Sequence, residues 1–191
     1  LPDTLINYLA LLGWNPGNDD EIFNFNYLQE NFSLDKVNKK SAVFDTIKLE
    51  WVSSQNIFKI PAVKLVDIAS EFDPTWCGEG HSLEYLVKVI ELIKDRIKTL
   101  SDIKENAFYF FNHPTEYDEA AMKKCWGENI NDILNSFQEE LSQLDDWNSS
   151  NIDELIDKCV NAINVGKGKL MQPLRIALTG ALKGPSISDL M

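Results

Sequence analysis

The sequence predicts an all-α fold, and three observations carry that expectation. Apolar residues recur every three or four positions through most of the 191 residues. Helix-starting residues such as Asp45, Ser82 and Asp118 stand in front of those runs, and Gly or Pro stands behind several of them. Short apolar runs such as Ala42-Val43-Phe44 lack the sustained alternation of a half-buried strand.

The elements follow in order. Pro2 suits a first helical turn, and Leu5, Tyr8, Leu9 and Leu12 mark one face of a helix stopped by Gly13. Asn15-Pro16-Gly17-Asn18 is a turn. Phe25, Leu28 and Phe32 space a short second helix. Asp45 caps a third, with Ile47, Leu49, Trp51 and Val52 as its apolar residues. Pro61 opens a fourth that runs to about Phe72, and residues 73–80 read as a loop. Ser82 caps what is expected to be the longest helix, with Leu86, Val89, Ile90, Ile93 and Ile97 on one side. A short aromatic helix over 106–111 ends at His113-Pro114, because the residue before proline disfavours helical backbone. Asp118 caps a helix to about Trp126, and another spans 130–144. Ser150 and Asp153 form a capping box for a helix ending near Gly166. The last full helix covers 170–178, with Pro173 in its first turn and Gly180 after its end. Ser186-Ile187-Ser188-Asp189 is a further capping box with only Leu190 and Met191 behind it, too short for a stable helix. That truncated helix, and a start at Leu1-Pro2 instead of Met, lead us to expect a portion of a longer protein.

Composition excludes some classes. The chain is 44% hydrophobic and 25% charged, as in ordinary soluble globular proteins. Apolar runs fall well short of the roughly 20 residues of a membrane helix. No basic stretch precedes an apolar one, so no signal peptide is expected. Cys77, Cys125 and Cys159 are odd in number and far apart, which fits free thiols in a reducing cytosol rather than disulfides or a zinc site.

Net charge is −12, against the trend for RNA binders, but its distribution is uneven. Between Glu116 and Asp157 twelve acids face two lysines, whereas Val160 to Ser188 holds no acid and carries Lys167, Lys169, Arg175 and Lys183. Lys94, Arg96, Lys98 and Lys104 form a second basic group; Lys36, Lys39, Lys40, Lys48, Lys59 and Lys64 form a third. Each group reads either as solvated helix ends, where the macrodipole favours cations, or as a local patch for nucleic acid in an otherwise repulsive body.

Catalytic constellations are absent from the sequence. His81 and His113 sit beside Gly or Pro without a nucleophile motif, and Asp145-Asp146 reads as solvated surface. Gly166-Lys167-Gly168-Lys169 lacks the spacing of a phosphate loop, though it could serve as a basic hinge near a phosphate. No metal ligands cluster. Trp14, Phe44 and Trp51 fall at core spacing. Arg175 stands in the apolar run Leu174-Arg175-Ile176-Ala177-Leu178 and must reach solvent, an acidic partner or a ligand. A planar guanidinium suits a base edge or a phosphate, and an internal salt bridge is the competing use.

Two stretches carry a family resemblance. Leu1 to Trp14 and Gln172 to Gly180, in this order and at this separation, resemble the C-terminal half of bacterial glutamyl-tRNA synthetases. The first is similar to the segment after the catalytic lysine-rich signature loop. Glu21-Ile22-Phe23, Val43-Phe44-Asp45 and Lys48-Leu49-Glu50-Trp51 match further positions, as does Pro185 near the end. The likeness is strongest over residues 1–57 and 172–191 and looser between.

The resemblance implies an all-α architecture in which residues 1–60 form a stem-contact domain and 61–191 an anticodon-binding cage, with a subdivision near 112–118. It implies that Arg96 contacts the third anticodon base, that Arg175 is a second anticodon-contacting arginine, and that Gly184, Pro185 and Ile187 lie on a loop packed against anticodon bases. Gly184-Pro185-Ser186-Ile187 departs here from the commoner Thr-Pro-Gly-Leu wording, which removes the side-chain contact at Gly184 and leaves room for backbone contacts there. Lys94, Lys98, Lys167, Lys169 and Lys183 are the expected phosphate contacts. The parent would be an ATP- and Mg²⁺-using, cytoplasmic, monomeric ligase joining glutamate to its tRNA. This chain would bind that tRNA, neither DNA nor a membrane, without catalytic residues, cofactor or metal of its own. The competing reading is an acidic all-helical protein-interaction domain whose arginines are tied up internally.

Overall fold

A computed structural model describes residues 1–38, 41–127, 129–162, 164 and 166–191. Lys39 and Lys40 of the third basic group, and part of the segment between Ala162 and Gly166, lie outside the described residues. Eleven α-helices are present among the described residues and no strand; one isolated antiparallel bridge pairs Trp14 with Val37. The all-α expectation holds. Among the described residues no helix is long and apolar enough to cross a membrane.

The chain divides into two compact units, residues 1–107 and 108–191. The division falls inside α6 (Asp102–Phe111); the expected boundary at 60/61 lies within the first unit, between α3 (Thr46–Lys59) and α4 (Ala62–Phe72).

In the first unit, α1 (Pro2–Gly13) packs on α3, and α4 packs on α5 (Leu83–Ile93). Val52, Ile57, Leu65, Val66, Val89, Ile90, Ile93 and Ile97 are buried there. A smaller cluster of Trp14, Phe23 and Leu28 sits beside α1 and α2 (Phe25–Asn31), with the Trp14 and Phe23 rings edge-on at 5.6 Å. Caps behave as their chemistry dictates. Asp45 Oδ1 accepts from the amides of Ile47 and Lys48 at 2.9 and 3.0 Å. Ser82 Oγ accepts from Tyr85 N at 3.2 Å, and Asn24 Oδ1 from Tyr27 N at 2.8 Å.

Several expectations are corrected. The Leu5–Leu9 stripe of α1 is exposed, and Thr4, Asn7 and Tyr8 are the buried residues. Asn7 explains the rotation: its amide donates to Glu21 O at 2.9 Å and its carbonyl accepts from Phe23 N at 3.3 Å, so the helix turns a polar residue inward. Phe44 and Trp51 are about half exposed instead of core. Phe44 packs edge-on to Tyr8 at 5.1 Å, and Lys48 sits 4.6 Å above the Trp51 ring. Helix α5 is not the longest; it tightens into a 3₁₀ turn over Lys94–Arg96, and Asp102 Oδ2 collects the amides of Lys98 and Thr99 at 3.0 and 2.9 Å.

In the second unit, α8 (Ile130–Leu141), α9 (Ser149–Ala162), α10 (Gly168–Thr179) and α11 (Ile187–Leu190) enclose a core of Phe137, Ile152, Leu155, Ile156, Val160, Leu170, Leu174 and Ile187, while α7 (Glu119–Cys125) lies against α10. Asn148, not Ser150, caps α9: its Oδ1 accepts from Asn151 N at 2.9 Å. Pro173 lies inside α10 rather than in its first turn, because the helix already begins at Gly168. Ser186 caps α11 as expected, with Asp189 N donating to Ser186 Oγ at 3.2 Å, and the Asp189 carboxylate accepts from the Ser186 hydroxyl at 2.6 Å instead of from its backbone amide.

Candidate anticodon-recognition turn

Helix α10 ends where the chain must reverse. Gly180 adopts φ +79° and its amide closes the helix on Ile176 O at 2.8 Å. Thr179 Oγ1 lies 2.9 Å from Arg175 O and 2.7 Å from Ala181 O, linking the last turn of the helix to the segment just beyond it. The outgoing segment is fastened to residues 114–118: Asp118 N donates to Gly180 O at 2.8 Å. A side chain at Gly180 would lie 2.7 Å from Glu116 O, so the close approach requires glycine.

Arg175 projects from α10 toward the same turn. Leu174 and Ile176 are buried, while Arg175 is half-buried. Its Nη1 donates to Gly184 O at 2.9 Å and to Pro185 O. The expected alternatives for this arginine were solvent, an acid or a ligand; among its acceptors are two successive carbonyls. Gly184 has φ +114°, a backbone that L side chains rarely adopt. Beneath it, a Cβ would stand 3.2 Å from Tyr109 Oη and 3.5 Å from Thr179 Cγ2. Pro185 is buried, and Ile187 is fully buried with Leu174 in the core. The turn's exposed crown is Leu182 and Lys183.

Arg175, Gly184 and Pro185 are therefore brought together, and Ile187 anchors the segment from below with its side chain turned inward. Lys167 pairs with Asp157 at 2.6 Å, and that hydrogen bond pushes its pKa up. Lys169 lines a cavity of about 420 Å³ with Lys124 and Gln172. Arg96, Lys94 and Lys98 belong to the first unit. Arg96 is exposed and contacts Asp95 at 2.5 Å. Lys98 reaches Glu50 at 3.5 Å. Lys94 donates to Ile60 O and lies 5.5 Å over the Phe58 ring; burial pushes its pKa down, against the pull of Glu91. Exposed pairs of this kind are worth little and exchange readily for another anion.

Tyr109 is the member of the turn that sequence reading misses. It stands in the run Phe108-Tyr109-Phe110-Phe111, whose aromatic content suggests core and nothing about a turn seventy-odd residues on. Among the described residues no three His, Cys, Asp or Glu side chains are placed to hold a metal ion.

The comparisons fit this geometry. Residues 64–191 match the family model described as an anticodon binding domain. Glutamate–tRNA ligase of Chloroherpeton thalassium is 36% identical over 99% of this chain, and that of Flavobacterium johnsoniae 35% over all of it. The chain spans only 40% and 38% of those proteins. A solved glutamate tRNA ligase from Elizabethkingia meningosepticum, in complex with its amino acid, superposes with a TM-score of 0.91 at 33% identity, covering this whole chain and 38% of that one. Glutamate-tRNA synthetase from Elizabethkingia anophelis gives 0.85 at 32%, covering the whole chain and 37% of that one. A model match across residues 64–191, on a helical scaffold shared with both solved structures, places this chain in the anticodon-binding domain family.

Proposed function

We propose that the chain is the tRNA-binding, anticodon-recognising portion of a glutamate–tRNA ligase, the enzyme that attaches glutamate to its tRNA at the expense of ATP. The observation that carries this reading is full-length similarity to glutamate–tRNA ligases over roughly two fifths of their length, with the preformed Arg175–Gly184–Pro185 turn inside the matched region. In this reading Arg96 and Arg175 serve anticodon recognition, and Lys94, Lys98, Lys167, Lys169 and Lys183 offer phosphate contacts, Lys98 and Lys167 exchanging their carboxylate partners for phosphate. ATP and Mg²⁺ act in the remainder of such a protein. Recognition targets unstacked loop bases, where sequence-specific RNA binding usually operates.

The acidic interaction-domain alternative draws support from the −12 charge and from the ion pairs at Lys98, Lys104, Lys158 and Lys167. A salt series separates the two. Binding of the chain to glutamate and glutamine tRNA transcripts is expected to weaken steeply with salt and to favour the glutamate tRNA. Affinity that ignores both salt and anticodon argues for the alternative.

A further inference from the structure

We propose that Tyr109 is a positioning residue for recognition at the Gly184–Pro185 turn, holding in place the backbone that Gly184 presents without a side chain. The inference rests on the anticodon-reading role proposed above.

Two constraints meet at Gly184. Its φ of +114° excludes an unstrained side chain, and its missing Cβ faces Tyr109, with Oη at 3.2 Å and Cζ at 3.4 Å. The Tyr109 hydroxyl is buried, so the ring fills the space under the turn and does not compete for the surface. Above, Arg175 Nη1 holds the Gly184 and Pro185 carbonyls. The turn is thus held by a cation on two carbonyls and has an aromatic ring against the Cα of Gly184. A hydrogen-bonding surface made of backbone discriminates only if it is held still, because misplaced donors and acceptors lose a base contact without gaining another. Tyr109 supplies that rigidity. A Cβ at 184 would press on the Tyr109 ring at 3.2 and 3.4 Å and need it to yield by a few tenths of an ångström, so the two positions are coupled.

The test measures how strongly the chain distinguishes a glutamate tRNA transcript from the same transcript with its anticodon bases replaced. Gly184→Ala is expected to lower that affinity ratio about tenfold, the scale of one base contact. Adding Tyr109→Phe, which removes the nearest atom, is expected to restore part of the loss. Tyr109→Leu is expected to lower the ratio while leaving the salt dependence unchanged, since no phosphate contact is touched. If Tyr109→Leu fails to fold, the Gly184→Ala rescue decides. A ratio unmoved by Tyr109→Leu in a folded chain, or a Gly184→Ala loss indifferent to residue 109, overturns the inference alone. An unaltered chain that binds both transcripts equally overturns the functional reading and this inference with it.

Discussion

The guanidinium of Arg175 and the carbonyl of Gly184 are 2.9 Å apart, and the same Nη1 also serves the next carbonyl, that of Pro185. One nitrogen on a helix therefore governs the backbone of a turn nine and ten residues further on. Hydrogen bonds from a charged donor contribute about 1.5–3 kcal/mol, and carbonyls left without a donor in a half-buried site add a desolvation cost. Arg175→Gln is expected to destabilise the second unit by about 2 kcal/mol, read as a lower urea midpoint. Arg175→Lys is expected to recover only part, because a strongly hydrated ammonium on a flexible stem loses more on leaving water and on being fixed at the two carbonyls. Equal stability of all three chains would show that the clamp contributes nothing.

Gly180 makes a sharper case. Its φ of +79° alone costs a side chain about 1 kcal/mol, and the Cβ would overlap a backbone carbonyl, Glu116 O at 2.7 Å, which cannot swing away as a side chain can. Gly180→Ala is expected to cost about 2–3 kcal/mol and to loosen the Asp118 N–Gly180 O bond. Amide hydrogen exchange at Asp118 checks the second point: unchanged protection would mean that the turn absorbs the methyl group.

How far these features can be read from the sequence depends on their range. Helix α4 and the caps at Asp45, Ser82 and Asp118 are legible because each depends on residues two to four apart. The buried face of α1 is not legible, since Asn7 is drawn inward by Glu21 and Phe23, fourteen and sixteen residues away. Ser150 looks like a cap because it precedes Asp153 at the right spacing, yet Asn148 competes two residues earlier and wins. For the turn, Arg175 announces itself as a cation in an apolar helix, and Gly184-Pro185 as a turn wording. Nothing local says that they touch, or that Tyr109 lies under Gly184, because aromatic spacing cannot reveal which loop a ring supports.

Asn7 itself offers a test of the first unit. Fully buried, it donates to Glu21 O at 2.9 Å, accepts from Phe23 N at 3.3 Å and lies 3.5 Å from Asn56 Nδ2. Asn7→Leu would satisfy the hydrophobic pattern of α1 and orphan those groups. Buried groups left unpaired cost about 1–3 kcal/mol each, more than the added apolar burial of one leucine returns after a poor steric fit. We expect a loss of about 2–4 kcal/mol despite the higher hydrophobicity. A stabilised chain would show that water replaces the lost partners.

Asp73 gives the pH dependence. It closes α4, where the helix dipole disfavours a negative charge, yet its carboxyl is held down at about 2. The Thr75 hydroxyl at 2.6 Å is the main cause, followed by the Thr75 amide at 2.9 Å and by Lys104 at 3.0 Å. All of these favour the charged form. A carboxyl whose folded pKa lies below its unfolded value of about 3.9 binds fewer protons folded than unfolded. Its stabilising effect is therefore complete above about pH 4 and is lost as pH falls from there through about 2. Carboxyl NMR titration of the native chain is expected to place the Asp73 midpoint near 2. Asp73→Asn should remove its share of the acid sensitivity between pH 4 and 2 while leaving stability at pH 7 lower, since an amide oxygen accepts from Thr75 and Lys104 more weakly than a carboxylate. A midpoint near 4, or an acid profile unchanged by Asp73→Asn, would show that the Thr75 and Lys104 contacts do not persist in solution.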